Sequence, residues 1–299
     1  MKKALITLLA ISLILLSGIS GCPQTSTTTQ ATSAGLDVQF SKDAPPVSVN
    51  VNQEFPVYVD VTNLGGDYVQ KGDAKFYLSG IGPNLENVKS SLTNEKTFNK
   101  ESTSPDRLTF SDNAKFTFPL QNLLVMPLAL TSCYAYGTTT QANVCIASSN
   151  QSSVCSLGGE KITSDSNSIA PVQISSLTEE AVGNKLKIYL VISNKLGGQI
   201  YLQDSDCDKL LQAKDYSEAA KSNKVSIELR TPEKGLICKL QEPSSPYSSL
   251  DSLKGVADVG KVTCEKPLTS TADDHVSPLY IILRYKYVSS VTKNLNVLP

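Results

Sequence analysis

One nine-residue pattern occurs twice, and it constrains the fold more than any other feature of the 299 residues. Phe55-Pro56-Val57-Tyr58-Val59-Asp60-Val61-Thr62-Asn63 aligns with Leu186-Lys187-Ile188-Tyr189-Leu190-Val191-Ile192-Ser193-Asn194. Leu64-Gly65-Gly66 follows the first copy. Leu196-Gly197-Gly198 follows the second after one inserted residue. Apolar residues at alternate positions specify a strand with one buried and one wet face, because successive side chains point to opposite sides of a sheet. The glycines then permit the positive φ of a tight turn. A second match lies near the end of each half, where Pro127-Leu128 and Tyr134-x-Tyr136 correspond to Pro278-Leu279 and Tyr285-x-Tyr287. The expected inward faces also agree: Leu128, Leu130, Tyr134 and Tyr136 against Leu279, Ile281, Tyr285 and Tyr287. Two strands kept at opposite ends of each half imply tandem copies of one all-β domain.

The remaining sequence fits that plan. Val47, Val49 and Val51 alternate, and Ala74 to Ser79, Arg107 to Phe110, Ala114 to Pro119, Leu128 to Tyr136 and Asn143 to Ala147 read as further strands. Gly80 to Pro105 is polar and broken and reads as a long connection. Many short strands with Gly, Pro and Asn turns suit a sandwich of immunoglobulin type. The V-x-V-x-N-x-G-G pattern resembles a strand of CARDB-type and related Ig-like modules on archaeal and bacterial surfaces. That resemblance implies the Asn-Gly-Gly at a strand end. The chain departs from antibody-type domains in having no tryptophan and no matching cysteine pair in each copy. The expected fold is two tandem immunoglobulin-like β-sandwiches, residues 36–158 and 170–299, joined by a Ser/Asn/Gly-rich linker at 159–169. The one helix candidate, Ser205 to Lys221, interrupts the second copy.

Ahead of the first domain stand a leader (1–22) and a Thr/Ser-rich segment (23–35) with no periodic apolar residues, read as a disordered tether spanning roughly 20 Å. Lys2 and Lys3 precede an apolar run from Ala4 to Leu16, as in a signal peptide. Leu15-Leu16-Ser17-Gly18-Ile19-Ser20-Gly21-Cys22 resembles the lipobox of prokaryotic lipoproteins. The resemblance implies lipid attachment at Cys22 and an address on the extracytoplasmic face of the membrane. An uncleaved N-terminal anchor is the alternative, although the run is short against the about 20 apolar residues of a spanning helix.

Six further cysteines suit an oxidising compartment and three disulfides. Cys238 and Cys264 sit in short apolar runs that pair as neighbouring strands. Cys133, Cys145, Cys155 and Cys207 pair as Cys145–Cys155 with Cys133–Cys207, or in another arrangement. In the alignment of the halves Cys133 stands where Arg284 does, facing outward, which argues against a central inter-sheet bridge for it.

Chemistry-bearing motifs are few. Asp204, Asp206 and Asp208 alternate and Asp215 follows, imitating calcium-loop positions, but Lys209 stands where the loop requires glycine. Edge or capping roles suit these acids better. His275 is the sole histidine, and no Gly-x-Ser-x-Gly elbow exists to present a nucleophile beside it. Gly255 to Val262 approximates a phosphate loop but lacks the Ser/Thr ligand and a following helix. Asn150 begins a glycosylation sequon. With 27 Lys+Arg against 28 Asp+Glu and no basic patch, nucleic acid is not an expected partner. The expectation is a non-catalytic surface protein without cofactors, acting in protein interaction, adhesion or envelope assembly. Its partners are the membrane, reached through the N-terminal lipid, and other cell-surface or envelope proteins. The alternative is an extracytoplasmic binding protein for a small ligand or glycan.

Overall fold

In the computed structural model, residues 33–148, 152–211, 216–241, 252–268 and 274–299 are described. The first half supplies β1 (Leu36–Phe40), β2 (Ser48–Asn50), β3 (Glu54–Asn63), β4 (Ala74–Ser79), β5 (Leu85–Glu86), β6 (Ser91–Thr93), β7 (Asp106–Phe116) and β8 (Leu124–Ile146). The second supplies β9 (Val172–Val182), β10 (Lys185–Asn194), β11 (Gln199–Leu202), helices α1 (Cys207–Leu211) and α2 (Tyr216–Ala219), then β12 (Lys224–Arg230), β13 (Ile237–Cys238), β14 (Ser252–Asp258), β15 (Lys261–Pro267) and β16 (His275–Leu298). The duplicated nine-residue pattern is β3 and β10. Phe55, Val57, Val59 and Val61 are buried in one and Leu186, Ile188, Leu190 and Ile192 in the other.

Two four-stranded antiparallel sheets have matching orders, β1-β3-β7-β5 and β9-β10-β15-β13. A third sheet runs β14-β12-β16-β8-β4-β6, with β11 and β2 pairing on β16. Its centre is a long ribbon. β8 and β16 pair antiparallel from His275↔Ile146 to Val297↔Leu124. The repeat relates Tyr134 to Tyr285 and Tyr136 to Tyr287, while the register pairs Tyr134 with Tyr287 and Tyr136 with Tyr285. Both relations hold only if a pseudo-twofold axis crosses the ribbon at the Ala135–Lys286 pair. β4 flanks β8 on one side of this point, and β12 flanks β16 symmetrically, with Ala74 opposite Tyr134 and Ile227 opposite Leu283.

Each long strand therefore serves both halves. β8 begins beside β4 of its own half, and near its far end the Cys145 amide bonds to Glu179 on β9. β16 begins beside β12, and its last residues pair in parallel with β2 of the first half. The described residues belong to one compact unit, with a continuous apolar core that includes Phe76, Phe110, Leu128, Leu130, Ile174, Leu177, Leu279 and Ile281.

Several elements differ from the sequence expectation. The strands expected at 107–110 and 114–119 are one strand, β7, whose register shifts against β3 between Phe55 and Tyr58. Those expected at 128–136 and 143–147 are the single β8, because the Thr138-Thr139-Thr140 run continues the ladder through Gly137. The long connection at 80–105 contains β5 and β6. The helix expected from Ser205 to Lys221 is α1 and α2, with 212–215 outside the described residues. The stretch expected as a linker lies along β8 and β9: Gln141 N–H bonds to Ser166 O at 2.9 Å, and Lys161 N–H to Leu177 O at 2.9 Å.

Candidate functional site

The most built part of the molecule is the crossing point of the ribbon. On its inner face four buried tyrosines meet, with ring centroids 5.7 Å apart for Tyr134–Tyr136, 5.8 Å for Tyr134–Tyr287 and 6.4 Å for Tyr136–Tyr285. A buried phenol needs a partner for its hydroxyl, and each copy solves this identically. Tyr136 donates to Asn63 Oδ1 at 3.0 Å, and Tyr287 donates to Asn194 Oδ1 at 3.3 Å. Asn63 Nδ2 donates to Asp67 O at 2.7 Å, and Asn194 Nδ2 to Gly198 O at 2.6 Å. Tyr134 accepts from the Leu36 amide at 3.2 Å, and Tyr285 from the Val172 amide at 3.3 Å. The two sequence repeats are thus the two ends of one latch, which fastens the first strand and the β3 or β10 turn of each half to the ribbon. Burial pushes the Tyr134, Tyr136 and Tyr285 hydroxyls well above the ordinary phenol range and raises that of Tyr287, so they remain neutral donors and acceptors.

The latch aligns without the inserted residue that the sequence comparison required. Gly65 N–H reaches Asn63 Oδ1 as Leu196 N–H reaches Asn194 Oδ1. Gly198 therefore corresponds to Asp67. Glycine is needed at 198 because a Cβ there would meet the Tyr287 ring and Val288 O at 2.6 Å.

On the outer face the insertion of the second half covers the same crossing point. Cys133 and Cys207 form a disulfide that is buried with Val288 beneath Tyr201 and Leu210. Asp206 caps α1 by accepting the Asp208 N–H at 2.9 Å. Asp208 is held by Lys75 and Tyr77 of β4; Lys75 first and Tyr77 second hold its carboxyl below the usual range. Asp204 lies 3.3 Å from Lys221. The three acids face separate partners, Asp215 lies outside the described residues, and no group of acids, His or Cys among the described residues is placed to hold a metal ion.

Two further disulfides lie away from the crossing point. Cys238 and Cys264 are cross-strand partners on β13 and β15, and Cys145 at the end of β8 joins Cys155. Beside the latter, the fully buried Glu179 carboxylate accepts the Cys145 amide at 2.9 Å and pairs with Lys161 at 2.9 Å. Burial raises the Glu179 carboxyl above its ordinary value, against the pull of Lys161 and the Cys145 amide. The sequence reading missed this pair, since nothing in Thr178-Glu179-Glu180 marks one acid as the buried one except the β9 alternation.

The other candidates fall apart from one another. His275 opens β16 with Nε2 2.9 Å from Glu233, and Lys266 reaches the same carboxylate at 3.3 Å. Burial alone would raise Glu233, but His275 and Lys266 outweigh it and hold it low. Gly255 to Val262 is the β14–β15 turn, not a phosphate cradle. Cys22 and Asn150 lie outside the described residues. No helix among the described residues is long and apolar enough to cross a membrane.

No protein-family model matches the chain, and no curated protein matches it in sequence. Among solved structures, the secreted serine protease VesC from Vibrio cholerae gives a TM-score of 0.18 at 10% identity, covering 84% of this chain. This chain spans 50% of that protease. The collagen adhesin CNA from S. aureus gives 0.14 at 10% identity, over 90% of this chain and 93% of the adhesin. Scores at this level bear on neither topology nor activity.

Proposed function

We propose that the chain is a non-catalytic, lipid-anchored protein of the extracytoplasmic membrane face, acting as an interaction, adhesion or envelope-assembly module. One observation carries this reading. Of seven cysteines, six are joined in three disulfides, which suits an oxidising compartment. The seventh is Cys22, at the end of the lipobox-like leader.

The architecture is read as two Ig-like sandwiches that exchange a strand. The orders β1-β3-β7-β5 and β9-β10-β15-β13 match the A-B-E-D sheet of that fold. In each half the long strand fills the F position and then continues as the last strand of the other half. Such a scaffold has rigid faces and edges for a partner.

Intact-mass analysis of the protein from its native membrane tests the address. The expected product starts at Cys22 and carries the lipid mass, and Cys22→Ser releases the chain from the membrane fraction. An unmodified Cys22 on a soluble cytosolic polypeptide would overturn it. Crosslinking on intact cells then identifies the neighbour.

A further inference from the structure

The pseudo-twofold axis carries β3 onto β10 and β7 onto β15, so the wet faces of the two four-stranded sheets correspond residue by residue. They share a centre. Tyr58 stands opposite Thr109 with the Arg107 guanidinium 5.4 Å from its ring centroid. Tyr189 stands opposite Thr263 with Lys261 Nζ 4.1 Å from its ring centroid. Each phenol donates to a carboxylate on its own sheet, Tyr58 to Asp112 at 2.9 Å and Tyr189 to Glu180. Cross-strand pairs and a cation over a ring stabilise a sheet from within, and they account for this centre without a partner.

Around the centre the charge reverses. Among the described residues, the first face carries Asp37, Glu54, Asp60, Glu86 and Asp112 against Arg107 and Lys115. The second carries Lys185, Lys187, Lys239 and Lys261 against Glu180 and Glu265. Glu54 and Lys185 hold the same position of the repeat. Glu54, Glu86 and Asp112 are exposed on one face, and Lys185, Lys239 and Lys261 on the other. Pairing within each face consumes part of the charge, since Arg107 lies 3.0 Å from Asp60 and Lys185 2.9 Å from Glu265. An acidic face and a basic face remain. Both sheets lie on the tyrosine-bearing side of the ribbon, because the Leu36 amide of β1 reaches Tyr134 and the Val172 amide of β9 reaches Tyr285. Their wet faces therefore point away from the ribbon on one side of the molecule.

A second copy turned over about an axis that runs between the two sheets lays acidic face on basic face at both contacts. That arrangement is closed and self-complementary. Turning it about the line that joins the sheets sets acid on acid and base on base, which like charges oppose. Three strands about eight residues long cover roughly 380 Å² at about 4.8 Å between strands and about 3.3 Å per residue. Two such contacts bury roughly 1,500 Å² over both copies, the size of a specific interface. We propose that the two wet faces form a self-association surface on which two copies of this chain pair, acidic sheet to basic sheet. The proposal rests on the assembly-module reading and names its partner. The address test reads the mass at Cys22 and this one the mass of the particle, so either can fail alone.

The full chain in detergent micelles is followed by sedimentation. Two-copy particles are expected at about 20 mM salt, with a dissociation constant at least about tenfold weaker at about 500 mM as the charges are screened. A micelle can also hold two lipid-bearing chains that do not touch, and charge reversal separates the two cases. Glu54→Lys with Glu86→Lys turns the first face basic, and Lys239→Glu with Lys261→Glu turns the second face acidic. Each double variant alone is expected as single copies. Their equimolar mixture is expected to restore two-copy particles holding one of each, which also shows that both variants fold. Should either variant fold poorly, carbodiimide coupling of mixed isotope-labelled and unlabelled native chains replaces it. Glu54 or Asp112 of one copy is then expected to be joined to Lys239 or Lys261 of the other. Single copies of the native chain at low salt, pairing that neither reversal moves, a mixture that stays unpaired, or couplings confined within one copy would overturn the proposal.

Discussion

The two halves share a latch and differ in how they are reinforced. In the first, β1 is five residues long, the chain turns away at the cis Ala44–Pro45 bond, and the β1-β3-β7-β5 sheet carries no disulfide. Asn63 is nearly inaccessible at 1% exposure and binds a further carbonyl, Phe98 O, at 3.3 Å. In the second half β9 runs for eleven residues, its edge is occupied by Glu160 and Asn167, and a disulfide crosses β13–β15. Asn194 is only half-buried. One design thus relies on a sealed polar turn in the first copy and on covalent and ionic reinforcement in the second. The difference teaches that the latch is the shared element and the staples are local additions.

Cutting the chain between the halves gives the largest effect. Residues 33–158 alone would expose Ala142 and Val144 on β8, both buried in the intact chain, and would lose the whole β16 partner. Neither half is expected to give a cooperative monomeric unfolding transition, whereas co-expressed halves should reassemble. A monomeric, cooperatively melting 33–158 fragment would show that the shared ribbon is dispensable. Next comes the Cys133→Ser/Cys207→Ser pair. The bridge spans a separation of 74 residues, and the chain-entropy account assigns such a loop about 4 kcal/mol. Denaturant unfolding should show a loss approaching that value, larger than for the Cys145–Cys155 bridge with its separation of 10, to which the same account assigns about 3 kcal/mol.

The latches themselves supply the third comparison. Asn63→Ala strips the acceptor from Tyr136 and Gly65 and the donor from Asp67 O and Phe98 O. Each buried group left unpaired costs about 1–3 kcal/mol, and water cannot replace the side chain in a sealed site. A loss of about 3 kcal/mol is expected for Asn63→Ala, and about 1 kcal/mol for Asn194→Ala, where water reaches the turn. Equal losses would mean that the two turns are equally sealed, against their different exposures.

Much of this was legible in the chain. Alternating valines and isoleucines identify β3 and β10 because a half-buried strand has period two, and the tyrosine pairs identify β8 and β16. The cross-strand Cys238–Cys264 bridge follows from two short apolar runs. The continuity of β8 was not legible, because Gly137 reads as a strand breaker. Its place shows what glycine leaves room for: a Cβ there would lie 2.1 Å from the Arg284 guanidinium and 2.6 Å from the Asp67 carboxylate, so a larger residue would push that ion pair aside. Nor does any local pattern join Asn63 to Tyr136. That contact depends on how the sheets stack, and only the repetition of both residues at corresponding places hints that they act together.

The buried Glu179 separates the halves by pH, with the smallest effect, since β1 ends before it could place an equivalent acid. Burial raises the folded carboxyl, while Lys161 and the Cys145 amide only partly offset this. The folded state therefore holds the Glu179 proton to higher pH than the unfolded chain does. The resulting stabilisation is fully present below the unfolded glutamate value and is lost as pH rises through the folded one. Glu179→Gln cannot ionise, so its unfolding free energy should lack that decline just above the normal carboxylate range. Lys161→Met removes the cation that favours the charged form and should steepen the decline and extend it to higher pH. Chemical denaturation across this window, with the carboxyl carbon followed by NMR, measures both. An unchanged pH profile in Glu179→Gln would show that Glu179 titrates alike in the folded and unfolded chains and that its burial is compensated in full by Lys161.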